Sequence, residues 1–538
     1  MSGGDAIVQT LLLHGVDTVF GLPGVQTYGL FDALARTGSR IRVVCPRHEQ
    51  TAGYMAYGYA KSTGRAGVYA VVPGAGVLNS AAALSTAYGA STPVVCVTGQ
   101  VPSRFLGSGK GHLHELPDQL ATLRTLTKWA ARIETPAAAP ALVAEAFRQA
   151  ATGRPRAVAV EMPWDVFDAQ EPVELPPPPA PPPALEPDAG AIEAAAELLR
   201  GARRPLIMVG GGAVEAAAEV LALAELLQAP VVSFRGGRGV VSDDHPLGLT
   251  CVAGFELWPE TDVLLGIGSR LELAWFRWPD RPAGLRVVNV DVDPLQAERL
   301  QPDVAITADA AAATRALVAA LEGVEREPRH AELRALKERT RQEIEAVRPH
   351  AAFLAAIREA LPRDGFLVEE LCQAGFASYF AFPVYAPRTF VTGGHQGALG
   401  FGFPTALGVK VAHPDRAVVS ITGDGGFLFG ATDLATAGQE GIGVVTIVFD
   451  NGAYGNVLRD QQRLYDGRVL GAVLRNPDFL ALAASFGIPA ARADTPDELR
   501  RALGRALADG GPWLIEVPVD PSQEVSPWPF LMPRPRRR

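Results

Sequence analysis

The stretch ITGDGGFLFGATDLATAGQEGIGVVTIVFDNGAYGN, residues 421–456, decides the fold. Its first residues complete the apolar run AVVSITG, which reads as a buried strand; GDGG is a tight turn, ATDLATAGQEG a helix, and GVVTIVFDN a second strand. Two short apolar strands joined through a helix form a parallel crossover covered on both faces. Asp424 and Asn451 then reach the same edge of the sheet, at the strand C-terminal ends where ligands gather in such folds. An aspartate and an asparagine so placed offer hard oxygen atoms to a magnesium ion, which leaves its other positions to water or phosphate oxygens. Gly423, Gly425 and Gly426 let backbone amides approach a diphosphate, and the helix start adds partial positive charge. A structural Asp turn with an unrelated Asn is the plainer alternative, and the spacing of the two favours the metal-diphosphate clamp.

The same alternation recurs along the chain. AGVYAVV and TPVVCVTG come early, PLIMVGGG, APVVSF, DVLLGIG and LRVVNVDV in the middle, each separated by Ala/Leu-rich helical stretches. LPPPPAPPPALEP, residues 175–187, lacks amide donors at its prolines and reads as an extended connector. A charged, helix-favouring segment near residues 326–349 marks a second seam. The expected architecture is α/β, with three domains of parallel sheets flanked by helices: 1–174, 188–325 and 350–538, joined by those two linkers. A length of 538 residues agrees with about three cores.

Composition narrows the partners. The formal charge of -9 argues against a general affinity for nucleic acid or anionic membranes, and the terminal RPRRR is too short to reverse it. Cys45, Cys96, Cys251 and Cys372 form neither a CxxC pair nor a disulfide framework, so reduced thiols in a cytoplasmic protein are expected, without zinc. The N-terminus lacks a basic, signal-like start, and no apolar run is long enough to span a bilayer.

GDG followed, after a helix and a strand, by a pair of asparagines is the thiamine diphosphate signature, and residues 423–451 resemble it. The sequence departs at the first asparagine, which is Asp450, while Asn451 keeps the ligand position. The resemblance implies magnesium held by Asp424, Asn451 and the carbonyl of Ala453. It also requires a carboxylate against the cofactor's aminopyrimidine ring. VVCPRHEQTAGYMAYGYAK resembles the segment that supplies it, making Glu49 the group that promotes loss of the thiazolium C2 proton. TGGHQGALGFGFPTALG resembles the turn that keeps the cofactor bent, with Leu399 as the apolar wedge and Gly397 giving backbone room. VFGLPGVQTYGLFDAL, with Gly24, and AVVPGAGVLNSAAALSTAYGA, with Asn79, resemble first-domain segments at the cofactor rim. A dinucleotide reading of Gly74-x-Gly76-x-x-Asn79 is not taken, because the third glycine is replaced and no acidic residue ends the next strand.

The resemblance covers nearly the whole chain and is shared with acetolactate synthase, pyruvate oxidase, benzoylformate decarboxylase and benzaldehyde lyase, the first being the nearest branch. In this family the two halves of the site meet across subunits, so a homodimer or homotetramer is implied. GKGHLHELPDQL places His114, or with a one-residue gap Glu115, where relatives carry a catalytic glutamine, and His112 is a third candidate for proton transfer. The tryptophan of acetolactate synthases is missing, Asp460 falling nearest its place. The central segments VVSFRGGRGVVSDDHPLGL and DVLLGIGSRLE resemble FAD-binding or vestigial segments, and a structural domain is favoured over bound FAD. The expected function is decarboxylation of a 2-oxo acid with carboligation to a carbonyl acceptor, the alternatives being simple decarboxylation and 2-hydroxyketone cleavage. From other classes, a non-catalytic cofactor-binding protein or a nicotinamide dehydrogenase would also use such folds.

Overall fold

The computed structural model describes residues 1–178, 180 and 183–534. Parts of the proline linker, and the basic tail beyond Arg534, lie outside the described residues. Among the described residues, three six-stranded, all-parallel sheets form the framework. The first holds β1 (Thr18–Gly21), β2 (Arg42–Val44), β3 (Gly67–Val71), β4 (Val94–Gln100), β5 (Trp129–Arg132) and β6 (Val158–Pro163), in the order β2-β1-β3-β4-β6-β5. The second holds β7 (Pro205–Val209), β8 (Val231–Ser233), β9 (Gly248–Leu249), β10 (Val263–Ile267), β11 (Arg286–Asp291) and β12 (Val304–Thr307), in the order β12-β11-β10-β7-β8-β9. The third holds β13 (Phe366–Val368), β14 (Phe390–Val391), β15 (Val418–Gly423), β16 (Val445–Asp450), β17 (Ala490–Arg492) and β18 (Trp513–Pro518), ordered β14-β13-β15-β16-β18-β17. The fold is therefore α/β throughout, as the repeated apolar runs require.

Strands are buried along their length where both faces are covered. All residues of β3, β4, β7 and β10 are buried, which parallel strands between helix layers demand. The first and third sheets share one topology, whereas the central sheet runs outward in both directions from β7 and β10. In the first sheet the order reverses between β1 and β3, and in the third between β13 and β15. A crevice opens beyond the carboxyl ends of the strands at each reversal.

Two buried helices lock the first domain against the third. Glu49–Thr63 and Gly402–Ala412 cross at their glycines: a Cβ on Gly58 would lie 2.1 Å from the carbonyl oxygen of Thr405, and one on Gly408 2.0 Å from that of Met55. Backbone thus rests on backbone, and no larger residue fits at either crossing.

Candidate active site

At the third sheet, Gly423 pairs in register with Phe449, so Asp424 and Asp450 leave adjacent strands side by side. Asp424 is only 2% exposed. Its Oδ2 accepts from Asn476 Nδ2 at 2.7 Å, and the same nitrogen donates to Asp450 Oδ1 at 2.7 Å. Burial pushes the Asp424 carboxyl up to about 6, and the Asp450 charge adds to this, against the lowering effect of the Asn476 and Gly425 donors. Among the described residues neither carboxylate has an ion-pair partner.

Asn451, one residue further on, donates from Nδ2 to Glu524 Oε2 at 3.1 Å, while its Oδ1 accepts from the Ala453 N–H at 3.1 Å. With the nitrogen bound to a carboxylate, the oxygen is the end of the amide left for a cation. Glu524 is fixed in turn by His350 Nε2 at 2.9 Å, and Ala453 is held by a bridge to Val473. A buried carboxylate beside a second one, with no ion pair to either among the described residues, plus an amide and a backbone carbonyl, is a hard-oxygen donor set that fits magnesium. Asp424, Asn451 and Ala453 would hold it.

The glycines of GDGG also serve the protein's own packing. A Cβ on Gly425 would meet Tyr454 at 2.4 Å, one on Gly426 would meet Glu370 Oε1 at 2.1 Å, and one on Gly423 would lie 3.0 Å from Cys372 Cβ. Gly397 adopts φ +65° on an exposed turn, and the half-buried Leu399 precedes Gly400, whose N–H donates to Glu370 Oε1 at 2.6 Å.

The first-domain crevice gathers the other half. Glu49 opens its helix, with His48 as the capping residue, and its Oε2 accepts from Asn79 Nδ2 at 3.0 Å. Asn79 lies on the helix Ala75–Gly89, which leaves the turn after β3. Gly74 in that turn has φ +58°, and a Cβ there would come within 2.3 Å of the His114 carbonyl oxygen. Gly24 closes against Val72, at 2.3 Å from a built Cβ, which brings the loop after β1 to the same place. Gln26 joins the two loops: Nε2 donates to the Leu113 carbonyl at 2.8 Å and Oε1 faces His114 Nδ1 at 2.9 Å. Since Oε1 can only accept, Nδ1 carries the proton and His114 Nε2 is left as the basic nitrogen.

Of the three proton-transfer candidates, only His114 is thereby tied to this crevice. The Glu115 carboxylate accepts from the amides of His112, Gly109 and Gly111 at 2.9, 3.0 and 2.8 Å; those bonds, that of His112 foremost, hold its pKa below the ordinary range and close the loop. The His112 ring stacks on Phe105 with centroids 3.9 Å apart, leaving a buried Nε2 without a partner. Asp460 is on the helix Gly455–Leu464, 3.6 Å from Arg463.

Within one chain, no hydrogen bond or ion pair among the described residues joins Glu49 to Asp424 or Asn451. Sequence reading missed Asn476, Glu524 and the buried pair Glu369 and Glu370. For the pair a signal existed: LVEEL sets two acids at the end of an apolar strand, the position that made Asp424 conspicuous.

A cavity of about 440 Å³ lies where the three domains meet, lined by Gly210–Gly212, Gly268–Glu272, Asp291, Lys61, Arg388 and His395. Burial draws Lys61 down to about 8, with the charges of Arg388 and Arg270 adding. The glycine-rich central segments line this cavity and not the Glu49 or Asp424 crevices.

Two domains of one topology, one ending in an oxygen donor set for a divalent cation and the other presenting a carboxylate in its own crevice, define a thiamine diphosphate-dependent enzyme. The chain belongs to the thiamine pyrophosphate enzyme family: the N-terminal TPP binding domain matches residues 1–122, the central domain 192–317 and the C-terminal TPP binding domain 372–517. It is similar to a probable 2-ketoarginine decarboxylase of Pseudomonas aeruginosa, 37% identical over 96% of this chain and 94% of the relative. It is also similar to a probable acetolactate synthase large subunit of Methanocaldococcus jannaschii, 33% identical over 98% and 93%, and to the acetolactate synthase isozyme 2 large subunit of Escherichia coli, 32% identical over 99% and 98%. Among the described residues no helix is long and apolar enough to cross a membrane.

Proposed function

We propose that this enzyme uses magnesium and thiamine diphosphate to decarboxylate a 2-oxo acid and passes the resulting acyl unit to a carbonyl acceptor. The observation that carries the reading is the oxygen donor set of the buried Asp424 and Ala453 with the half-buried Asn451, beside a second carboxylate that has no ion pair among the described residues. When bound, thiamine diphosphate would supply the carbon nucleophile and hold the electron pair that departing carbon dioxide leaves behind. The chain's own residues bind and orient. Asp424, Asn451 and the Ala453 carbonyl would hold the metal, Leu399 would support the cofactor's bend, and Glu49, aligned by Asn79, would hold and give up a proton at its carboxylate beside the ring. His114 Nε2 would move a proton at the substrate carbonyl in this reading, which the Gln26 contact that sets its ring supports. Glu49 and Asp424 come from facing subunits of a homodimer or homotetramer in this reading, and the compartment is the cytoplasm. The central domain is structural, FAD not being part of the proposal.

A second reading ends in protonation instead of ligation, giving an aldehyde; it is supported by the relative named a 2-ketoarginine decarboxylase. Purified enzyme with magnesium and thiamine diphosphate is supplied with a panel of 2-oxo acids, pyruvate and 5-guanidino-2-oxopentanoate among them, with and without an aldehyde. Carbon dioxide with an acyloin or acetohydroxy acid supports ligation, free aldehyde supports the second reading, and no carbon dioxide from any 2-oxo acid overturns both.

A further inference from the structure

We infer that Glu370 is a positioning residue that sets the turn bearing Leu399 against the metal-binding loop, an inference that rests on the thiamine diphosphate reading. Glu370 follows β13, directly across the strand-order reversal from the loop that follows β15. It is fully buried, and one carboxylate receives three donors: Gly400 N–H on Oε1 at 2.6 Å, and Gly402 N–H and Thr422 Oγ1 on Oε2 at 3.1 and 2.9 Å. Gly400 and Gly402 flank the start of the helix Gly402–Ala412 immediately after Leu399, and Thr422 stands two residues before Asp424.

The glycine pattern fits the same role. A Cβ on Gly402 would lie 2.8 Å from Glu370 Oε2 and one on Gly426 2.1 Å from Oε1, so the wedge turn and the GDGG loop both close onto this carboxylate. Gly400, with φ +80°, presents its amide from a conformation that L side chains rarely adopt. The Gly400 and Gly402 amides can only donate, one to each oxygen, while the Thr422 hydroxyl proton is shared between Glu370 and the Gly423 carbonyl, so the group between the two amides must accept on both oxygens. Glutamate does this, whereas glutamine turns an NH2 toward at least one donor. Nothing in Glu370's surroundings needs it to touch substrate; its action on the reaction runs through Leu399.

The test uses the full-length enzyme with magnesium and thiamine diphosphate. Three readouts are taken for the wild type, E370Q, L399A and the double variant: cofactor dissociation constant by titration calorimetry, C2-proton exchange of the bound cofactor by quenched-flow NMR, and kcat apart from KM. Losing one buried bond to a charged acceptor should slow C2 exchange about tenfold in saturated E370Q. The same substitution should have little further effect in the L399A background, because the two act through one turn. Thr422→Val, which deletes one bond and keeps the side-chain shape, should move exchange in the same direction by less. Wild-type exchange in saturated E370Q, or equal effects of E370Q with and without L399A, overturns the inference. A wild-type protein that fails to bind thiamine diphosphate overturns instead the reading on which it rests.

Discussion

Asn476 is the residue whose removal most directly probes the half of the site proposed to hold the metal. Its single nitrogen bonds both Asp424 and Asp450, each at 2.7 Å, and N476A deletes both contacts while leaving two carboxylates face to face. A hydrogen bond to a charged group contributes roughly 1.5–3 kcal/mol, and water entering the space recovers part of the loss, so a local cost on the order of 3 kcal/mol is expected in metal-free protein at pH 8. That corresponds to a roughly hundredfold larger open population. The cost should depend on pH with a definite sign. The Asp424 carboxyl is raised from 3.8 to about 6 in the folded protein, so its contribution is complete below its unfolded value and is lost as pH climbs through the folded one. Without Asn476 that folded value climbs further, and the penalty relative to wild type should widen above pH 6 and shrink near pH 5, where one carboxyl is protonated and donates to the other. Amide hydrogen exchange at Gly425 and Gly452, corrected for intrinsic rates, reads the opening. Equal protection at pH 8, or a penalty indifferent to pH, would refute the argument. Magnesium should restore most of the protection, because a cation between the two carboxylates offsets the repulsion that the Asn476 amide no longer relieves.

Other expectations follow from single contacts. E49Q should bind magnesium and thiamine diphosphate within a few-fold of wild type and lose about 10²-fold or more in kcat, since the amide cannot exchange the proton; steady-state kinetics with calorimetry decide it. E369Q should stabilise the cofactor-free protein increasingly as pH rises. Burial pushes the Glu369 carboxyl from 4.5 up to about 7, against the Thr392 and Tyr379 hydrogen bonds and the Arg235 charge, so the native state disfavours its charge across that interval. A thermal midpoint difference that does not grow between pH 5 and pH 8 would count against this. G426A should lower cofactor affinity and thermal stability together, because its Cβ would lie 2.1 Å from a fixed carboxylate oxygen that cannot withdraw without releasing Gly400. Calorimetry and a melting curve on one preparation check it.

The sequence by itself determined the sheets and the direction of their ends. Runs such as VVCVTGQ and VVSITG carry no charge and lack the apolar/polar alternation of a half-exposed strand, a pattern suited to a strand covered on both faces, which favours parallel sheets with their C-terminal ends the place for a site. Asp424 and Asn451 were legible for the same reason: each ends such a run. The glycines were legible as close approaches, but sequence could not say to what, and Gly425 and Gly426 turn out to face Tyr454 and Glu370 as well.

Only the tertiary structure decided the contacts between distant segments. Asn476 bridges two carboxylates from a loop far downstream, Glu524 reaches back to Asn451, and Gln26 selects the free nitrogen of His114; none belongs to a local period or spacing. His112, His114 and Glu115 were indistinguishable in HLHEL because all three side chains suit proton transfer. They separate once the loop folds, when backbone amides claim Glu115, Phe105 covers His112 and His114 alone is linked to the crevice. Periodicity is a property of neighbouring residues, whereas the pairing of a polar atom depends on which remote donor or acceptor the packed helices and sheets bring within about 3 Å of it.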